Sequence, residues 1–169
     1  PLVADFKPPP HPKGISLEGK LVQLIPMEAE EHAEALFEAN QLDTEGTNWA
    51  YLPYGPFADL KSYHSWVREN QGLEDPVFLA IVEKESGRPL GIASYLRIHP
   101  AEGSIEVGHI HFSPLLQRTT SATESMFLMM QWAFEAGIAV TNGNATPSTR
   151  LRGGPPSGLG FLLKGSSGK

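Results

Sequence analysis

Hydrophobic residues recur along this chain in two rhythms, every second position and every third or fourth, and the rhythm changes several times between Lys20 and Ala136. Alternation marks a strand with one buried face, and three-to-four spacing marks a helix with an apolar stripe. Lys20 to Pro26 alternates and predicts a strand. Glu28 to Gln41 carries Ala33, Leu36, Phe37 and Ala39. Its acidic residues cluster in the first turns, where they suit the positive end of a helix. Ala58 to Gln71, with Leu60, Tyr63, Trp66 and Val67, predicts a second helix, starting near Asp59 and stopping near Gly72. Pro76 to Lys84 and Leu90 to His99 predict two strands joined as a hairpin through Glu85-Ser86-Gly87-Arg88-Pro89. After a turn at Pro100 to Gly103, Ser104 to Phe112 alternates again, so three sequential antiparallel strands are expected. Thr123 to Ala136 then predicts a helix, with Ala122, Met126, Met129/Met130 and Ala133 along one face.

Between that last strand and helix lie a turn at Ser113-Pro114 and the polar run Gln117-Arg118-Thr119-Thr120-Ser121-Ala122. A strand feeding a helix through small and hydroxylic residues leaves the helix's first N–H groups facing outward, an arrangement that attracts phosphate. This run resembles the cofactor motif of the GNAT superfamily of acetyl-CoA-dependent N-acetyltransferases, Gln/Arg-x-x-Gly-x-Gly/Ala at a helix start. Thr120 stands where the family usually has Gly, which predicts a stiffer loop and a less close approach to a pyrophosphate. Leu17 to Leu24, Trp49-Ala50-Tyr51-Leu52 and Gly55-Pro56-Phe57 resemble the branch that includes ribosomal-protein N-terminal acetyltransferases. The resemblance covers Lys13 to Ile138. It implies an α/β (α+β) acyl-CoA N-acyltransferase fold, a mixed and mainly antiparallel sheet with helices on both faces.

Composition narrows the classes. A chain of 169 residues, 40% hydrophobic, supports one domain with a real core. A net charge of -6 argues against a nucleic-acid or anionic-membrane binder. No Cys is present, which removes thiolate nucleophiles, disulfides and Cys-based zinc sites. No apolar run approaches the roughly 20 residues that cross a bilayer, and the N-terminus lacks a signal peptide's apolar segment. A cytoplasmic protein is expected, and its oligomeric state is left open, with a homodimer among the options.

The resemblance also assigns roles. Backbone N–H groups of His111 and Phe112 would hold the thioester carbonyl where two parallel strands splay apart, and Gln117, Arg118, Thr119, Thr120, Ser121 and Ala122 would take the pyrophosphate of acetyl-CoA. Fixed peptide donors suit both tasks, because they meet developing charge with little reorganisation. Trp49, Tyr51 and Tyr54, in the long loop from Leu42 to Phe57, would line the acceptor pocket, and ordinary packing of a long loop is the competing account. Amide formation needs an amine stripped of its proton. Glu106 is the leading base, on a strand beside apolar neighbours whose desolvation would raise its pKa, with a solvated carboxylate on the polar face as the competing account. His109 and His111 are alternative bases or water holders, since imidazole titrates near neutrality. No third ligand accompanies their i, i+2 spacing, so no metal is expected.

The ends differ from the middle. Pro1 to Gly14, with Pro8-Pro9-Pro10 and Pro12, is an extended arm. Residues 15–138 are the expected domain. Residues 139–169 form a Gly/Pro/Ser/Thr-rich tail without a single Asp or Glu, of the kind a disordered terminus or linker has. Joining the third base of each codon to the first two of the next, permitted codons for Ala139 to Phe161 spell RYEWKCDALNAPSRRAAERLGF. That string resembles the family's strand, Asn-containing turn and basic helix, so the tail reads as a frameshifted version of the domain's last elements. Read as written, it would leave the fifth strand and following helix missing or replaced. The sequence thus predicts an N-acetyltransferase that moves an acetyl group from acetyl-CoA to a primary amine, either a protein N-terminus or a small amine. The competing reading is a non-catalytic acyl-CoA-binding or regulatory module.

Overall fold

A computed structural model describes residues 10–50 and 52–142. Most of the expected arm and of the tail, together with Tyr51, lies outside the described residues. A six-stranded sheet runs in sequence order: β1 (Leu17–Glu18), β2 (Val22–Pro26), β3 (Val77–Glu83), β4 (Pro89–His99), β5 (Ser104–Phe112) and β6 (Ala139–Asn142). The first five pair antiparallel and β6 joins β5 in parallel. The expected mixed, mainly antiparallel sheet with helices on both faces is therefore present. Ala139 to Asn142, as written, do supply a strand, because ladder bonds need only the backbone and Val140 points into the core.

The helices are α1 (Ala29–Asn40), α2 (Leu60–Asn70) and α3 (Thr120–Glu135). Asp59 starts α2 by accepting from the Ser62 N–H at 2.8 Å, as an N-cap carboxylate does. The N-cap residue of α1, Glu28, makes no side-chain capping bond. The Ala29 N–H there donates to Gln71 at the far end of α2, at 2.7 Å, which ties the two helices together. α3 begins three residues before the expected Thr123, because the Thr119 hydroxyl accepts from the Ala122 N–H and nucleates the turn earlier.

Side chains of the sheet divide between two cores. Val22, Leu24, Leu79, Ile81, Ala93, Tyr95, Ile105, Val107 and Val140 pack with Leu128, Met129 and Ala133 of α3. On the opposite side Met27, Phe78 and Ile92 pack with α1, α2 and Trp49, joined by Tyr54, Phe57, Tyr63 and Trp66.

β5 does not keep the uninterrupted alternation expected from its sequence. Its apolar residues switch from odd to even numbers between Val107 and Ile110. Between the pairs Ser94↔Gly108 and Ile92↔His111, β4 advances two residues while β5 advances three. The extra residue is absorbed in a bulge at His109, whose φ is 48°. The bulge lets Ile105, Val107, Ile110 and Phe112 all serve the α3 side. It turns His109 and His111 to the aromatic side, which alternation also gives to Glu106. A second irregularity falls at Arg97 in β4, where φ is 47°. The Asp75 carboxylate holds it by accepting from the Arg97 and Ile98 N–H groups at 3.1 and 2.9 Å.

Candidate active site

Two cavities flank the C-terminal end of β5, and they share no lining residue. The first, about 660 Å³, is lined by Phe112, Gln117, Arg118, Thr119, Thr120, Ala122, Thr123 and Met126. All of the expected pyrophosphate run except Ser121 therefore borders one space. Its backbone donors are less free than the sequence suggested. Gln117 donates to Ser113, Thr119 to Leu116, and Ala122 to its own cap, Thr119. The N–H groups of Arg118, Thr120 and Ser121 have no hydrogen-bond partner among the described residues. Arg118 and Thr120, two of these three residues, line the cavity at a helix start, an arrangement that fits a diphosphate.

Thr120 sits in the first turn of α3 without a positive φ, so its backbone conformation is open to any residue. The left-handed residue is Arg118, at 59°.

The side chain of His111 is not part of this cavity. It is buried on the opposite side of the sheet, stacked on Trp49 with centroids 3.7 Å apart. Burial lowers its pKa to about 4, opposed only by the negative charge of Asp43. Any cofactor contact of His111 is left to its backbone. The β5–β6 register is described from Ser104↔Ala139 to Val107↔Asn142, and the expected splay beside His111 and Phe112 lies outside the described residues.

Glu106 is nearly shielded by its surroundings, its side chain 13% exposed, and Oε2 pairs with the Arg97 guanidinium at 3.4 Å. The burial argument for Glu106 did not include this cation. His109 is half-buried between Tyr54 and Phe78. Burial lowers its pKa and the Glu106 carboxylate pulls it back. No group of metal-binding residues occurs among the described residues.

Trp49 and Tyr54 meet edge to face at 6.3 Å, and Trp49 is itself buried. The Tyr54 hydroxyl is buried without a partner among the described residues, and desolvation pushes its pKa well up. Trp49 also walls the second cavity, about 400 Å³, which reaches Asn40, Phe57 and Tyr63. Both side-chain atoms of Asn40 and the Tyr63 hydroxyl are buried without partners among the described residues.

One residue near the site escaped the sequence reading. Asn48 joins the aromatic loop to the cofactor run: its Oδ1 accepts from Gln117 Nε2 at 2.5 Å and its Nδ2 donates to the Phe112 carbonyl at 3.3 Å. An Asn in a loop carries no periodic signal, and only the Asp43-to-Thr47 spacing before it hinted at a local turn.

The profile of the Acetyltransferase (GNAT) domain family matches residues 22–150. A GCN5-related N-acetyltransferase from Brucella melitensis shares 33% identity and a TM-score of 0.76, over 81% of this chain and 62% of that one. The chain thus spans less than two thirds of that relative's length. An acetyltransferase of the GNAT family from Chromobacterium violaceum shares 34% identity and a TM-score of 0.73, over 82% of this chain and 69% of that one. RimL, a ribosomal-protein alpha-N-acetyltransferase, has the same fold at 15% identity and a TM-score of 0.60, over 76% of this chain and 70% of that one. No curated protein sequence matches the chain. With the profile spanning most of its length over a matching fold, the chain belongs to the GNAT acetyltransferase family.

Proposed function

We propose that this chain transfers an acetyl group from acetyl-CoA to a primary amine, a protein N-terminus or a small amine. The observation that carries the reading is the pair of N–H groups at Arg118 and Thr120, unpartnered among the described residues, in the lining of the cavity beside the bulged end of β5. Those donors and Arg118 take the pyrophosphate, with Gln117, Thr119 and Ala122 shaping the turn around it. The thioester then lies along β5, where backbone N–H groups of His111 and Phe112 stabilise the carbonyl oxygen as it gains charge.

The amine nitrogen attacks the carbonyl carbon, a C–N bond forms, the C–S bond breaks, and the sulfur leaves as the thiolate of CoA. Glu106 accepts the proton the amine must lose, directly or through a water, with Arg97 balancing its charge. His109 is the alternative acceptor of that proton. Trp49 and Tyr54 supply an apolar wall with a polar tip for the acceptor, and Tyr51 of the same loop lies outside the described residues.

Two measurements test this together. CoA should raise the melting temperature, and acetyl-CoA with a panel of primary amines should release free thiol. No stabilisation by CoA overturns the reading. Stabilisation without thiol release supports the non-catalytic acyl-CoA-binding module instead.

A further inference from the structure

The loop that would receive the acceptor and the run that would receive the cofactor are fastened to each other through one side chain. Asn48 has three polar connections. Its N–H donates to Asp43 Oδ2 at 2.9 Å, and Asp43 Oδ1 accepts from the Thr47 N–H and hydroxyl. Asn48 Oδ1 accepts from Gln117, whose Nε2 also donates to the Phe112 carbonyl at 3.0 Å. Asn48 Nδ2 donates to that same carbonyl. The carbonyl at the end of β5 is thereby held by two amides, one from each segment.

The neighbouring residue gives this clamp its reach. Trp49 follows Asn48 in the same short 3₁₀ turn, Thr47–Trp49, and such a turn carries its members together as a rigid unit. One face of Trp49 lies on His111, and Trp49 is also a wall of the second cavity. A shift of Gln117 therefore moves Asn48, and Asn48 moves the wall between the β5 edge and the second cavity. Residues 64 and 69 positions apart make these contacts, so the coupling is a tertiary feature and not a local turn.

We propose that Asn48 is a positioning residue which couples the two cavities, so that a diphosphate held by the Gln117 run also orders the Asp43–Trp49 segment against which the amine acceptor packs. This deepens the acetyltransferase reading and rests on it. Hydrogen bonds that span both segments make ordering one lower the entropic cost of ordering the other, which is how two sites share a coupling free energy.

Amide hydrogen exchange on the full chain, with CoA as the probe, tests it. In the unaltered protein CoA slows exchange in both peptides, the one containing Arg118 to Ala122 and the one containing Asp43 to Ala50. In Asn48→Ala the first protection persists and the second is lost. Asn48→Asp keeps the acceptor for Gln117 and retains part of the second protection, a rescue that a purely space-filling role would not give. Gln117→Ala, which cuts the clamp from the other end, serves if Asn48→Ala does not fold. Unchanged protection at Asp43 to Ala50 in both variants overturns the coupling. An absence of any CoA protection at Arg118 to Ala122 in the unaltered protein overturns the acetyltransferase reading first, and the coupling with it.

Discussion

The two sides of the sheet are built from different residues and use their hydrogen-bonding capacity differently. On the α3 side the core is mostly aliphatic, and its buried tyrosine is satisfied: the Tyr95 hydroxyl donates to the Met129 carbonyl at 2.6 Å. On the α1 and α2 side the core is a web of rings, Trp49, Tyr54, Phe57, Tyr63, Trp66 and Phe78, within 6.3 Å of one another along the chain of contacts. There Asn40, Tyr54, Tyr63 and His111 bury polar atoms without partners among the described residues. A folded chain seldom leaves buried polar atoms unsatisfied, and where it does the group calls for an explanation such as a catalytic role, a bound water or ion, or stored strain. The contrast fits the proposed function: the acceptor's chemistry falls on the aromatic side, while the α3 side combines the aliphatic core with the cavity proposed for the cofactor.

The comparison is broken most severely by one substitution on each side. Glu106→Gln keeps size and burial but cannot take a proton, so thiol release should fall about 10²–10⁴-fold, the usual contribution of a positioned base. Its melting temperature should stay near that of the parent chain. Met129→Ala empties a fully buried site on the aliphatic side and should cost about 2–5 kcal/mol of stability, read from urea midpoints. Turnover per folded molecule should not change. Were Glu106→Gln to unfold the chain, or Met129→Ala to abolish turnover in folded protein, the division of labour would be wrong.

This division was only half visible beforehand. The helices and the hairpin follow from apolar spacing, and Asp59 announced the start of α2, because such signals are local. The bulge at His109 was not foreseen, although the switch of apolar parity between Val107 and Ile110 encodes it. Alternation was read as continuous because one misplaced residue in nine looks like noise until a partner strand shows the register. Gln117 to Ala122 was legible as a phosphate-type turn, yet which of its N–H groups stay free depends on the carbonyls of Ser113 and Leu116. Arg97 beside Glu106 and Asn48 beside Gln117 are tertiary neighbours with no sequence signal.

Acid separates the two sides next. Burial holds His111 at about 4, below the ordinary value of 6.5, and also lowers His32 and His109. All three belong to the aromatic side. The unfolded chain takes these protons first, so each contribution to stability is intact above about pH 6.5 and is lost as pH falls below it, for His111 down to about 4. For His111 alone the loss is roughly 3 kcal/mol. The carboxylates whose pKa values are lowered, Glu18, Glu30, Asp59 and Glu74, are surface groups whose losses begin only below the ordinary carboxylate values, 4.5 for Glu and 3.8 for Asp. The interval above that belongs to the histidines. Urea midpoints from pH 7 to pH 5 should fall steeply in the parent chain and less steeply in His111→Gln. Met129→Ala should lower the whole curve without changing its slope. Equal slopes in parent and His111→Gln would remove the acid signature from the aromatic side.

The finest test compares two tyrosines that lose the same atom. Tyr95→Phe deletes a hydroxyl that has an acceptor. The Met129 carbonyl it leaves lies inside α3 and keeps its helical partner, so no group is stranded and the cost is only the net value of one hydrogen bond, about 1 kcal/mol. In a chain of this size that lowers the melting temperature by roughly 2–4 °C. Tyr63→Phe deletes a hydroxyl that is just as deeply buried; no hydrogen bond of good geometry reaches it among the described residues, although the Asn40 side chain lies near enough to act on it. Removing it spares the chain a desolvation cost and gives up no formed bond, so stability should hold or rise slightly. If the Tyr63 oxygen is kept for a ligand of the second cavity, the Michaelis constant for the amine should rise in Tyr63→Phe and stay fixed in Tyr95→Phe. A loss of stability in Tyr63→Phe matching that of Tyr95→Phe would mean that its hydroxyl is bonded in solution, and the two sides would then differ in shape but not in what they leave unspent.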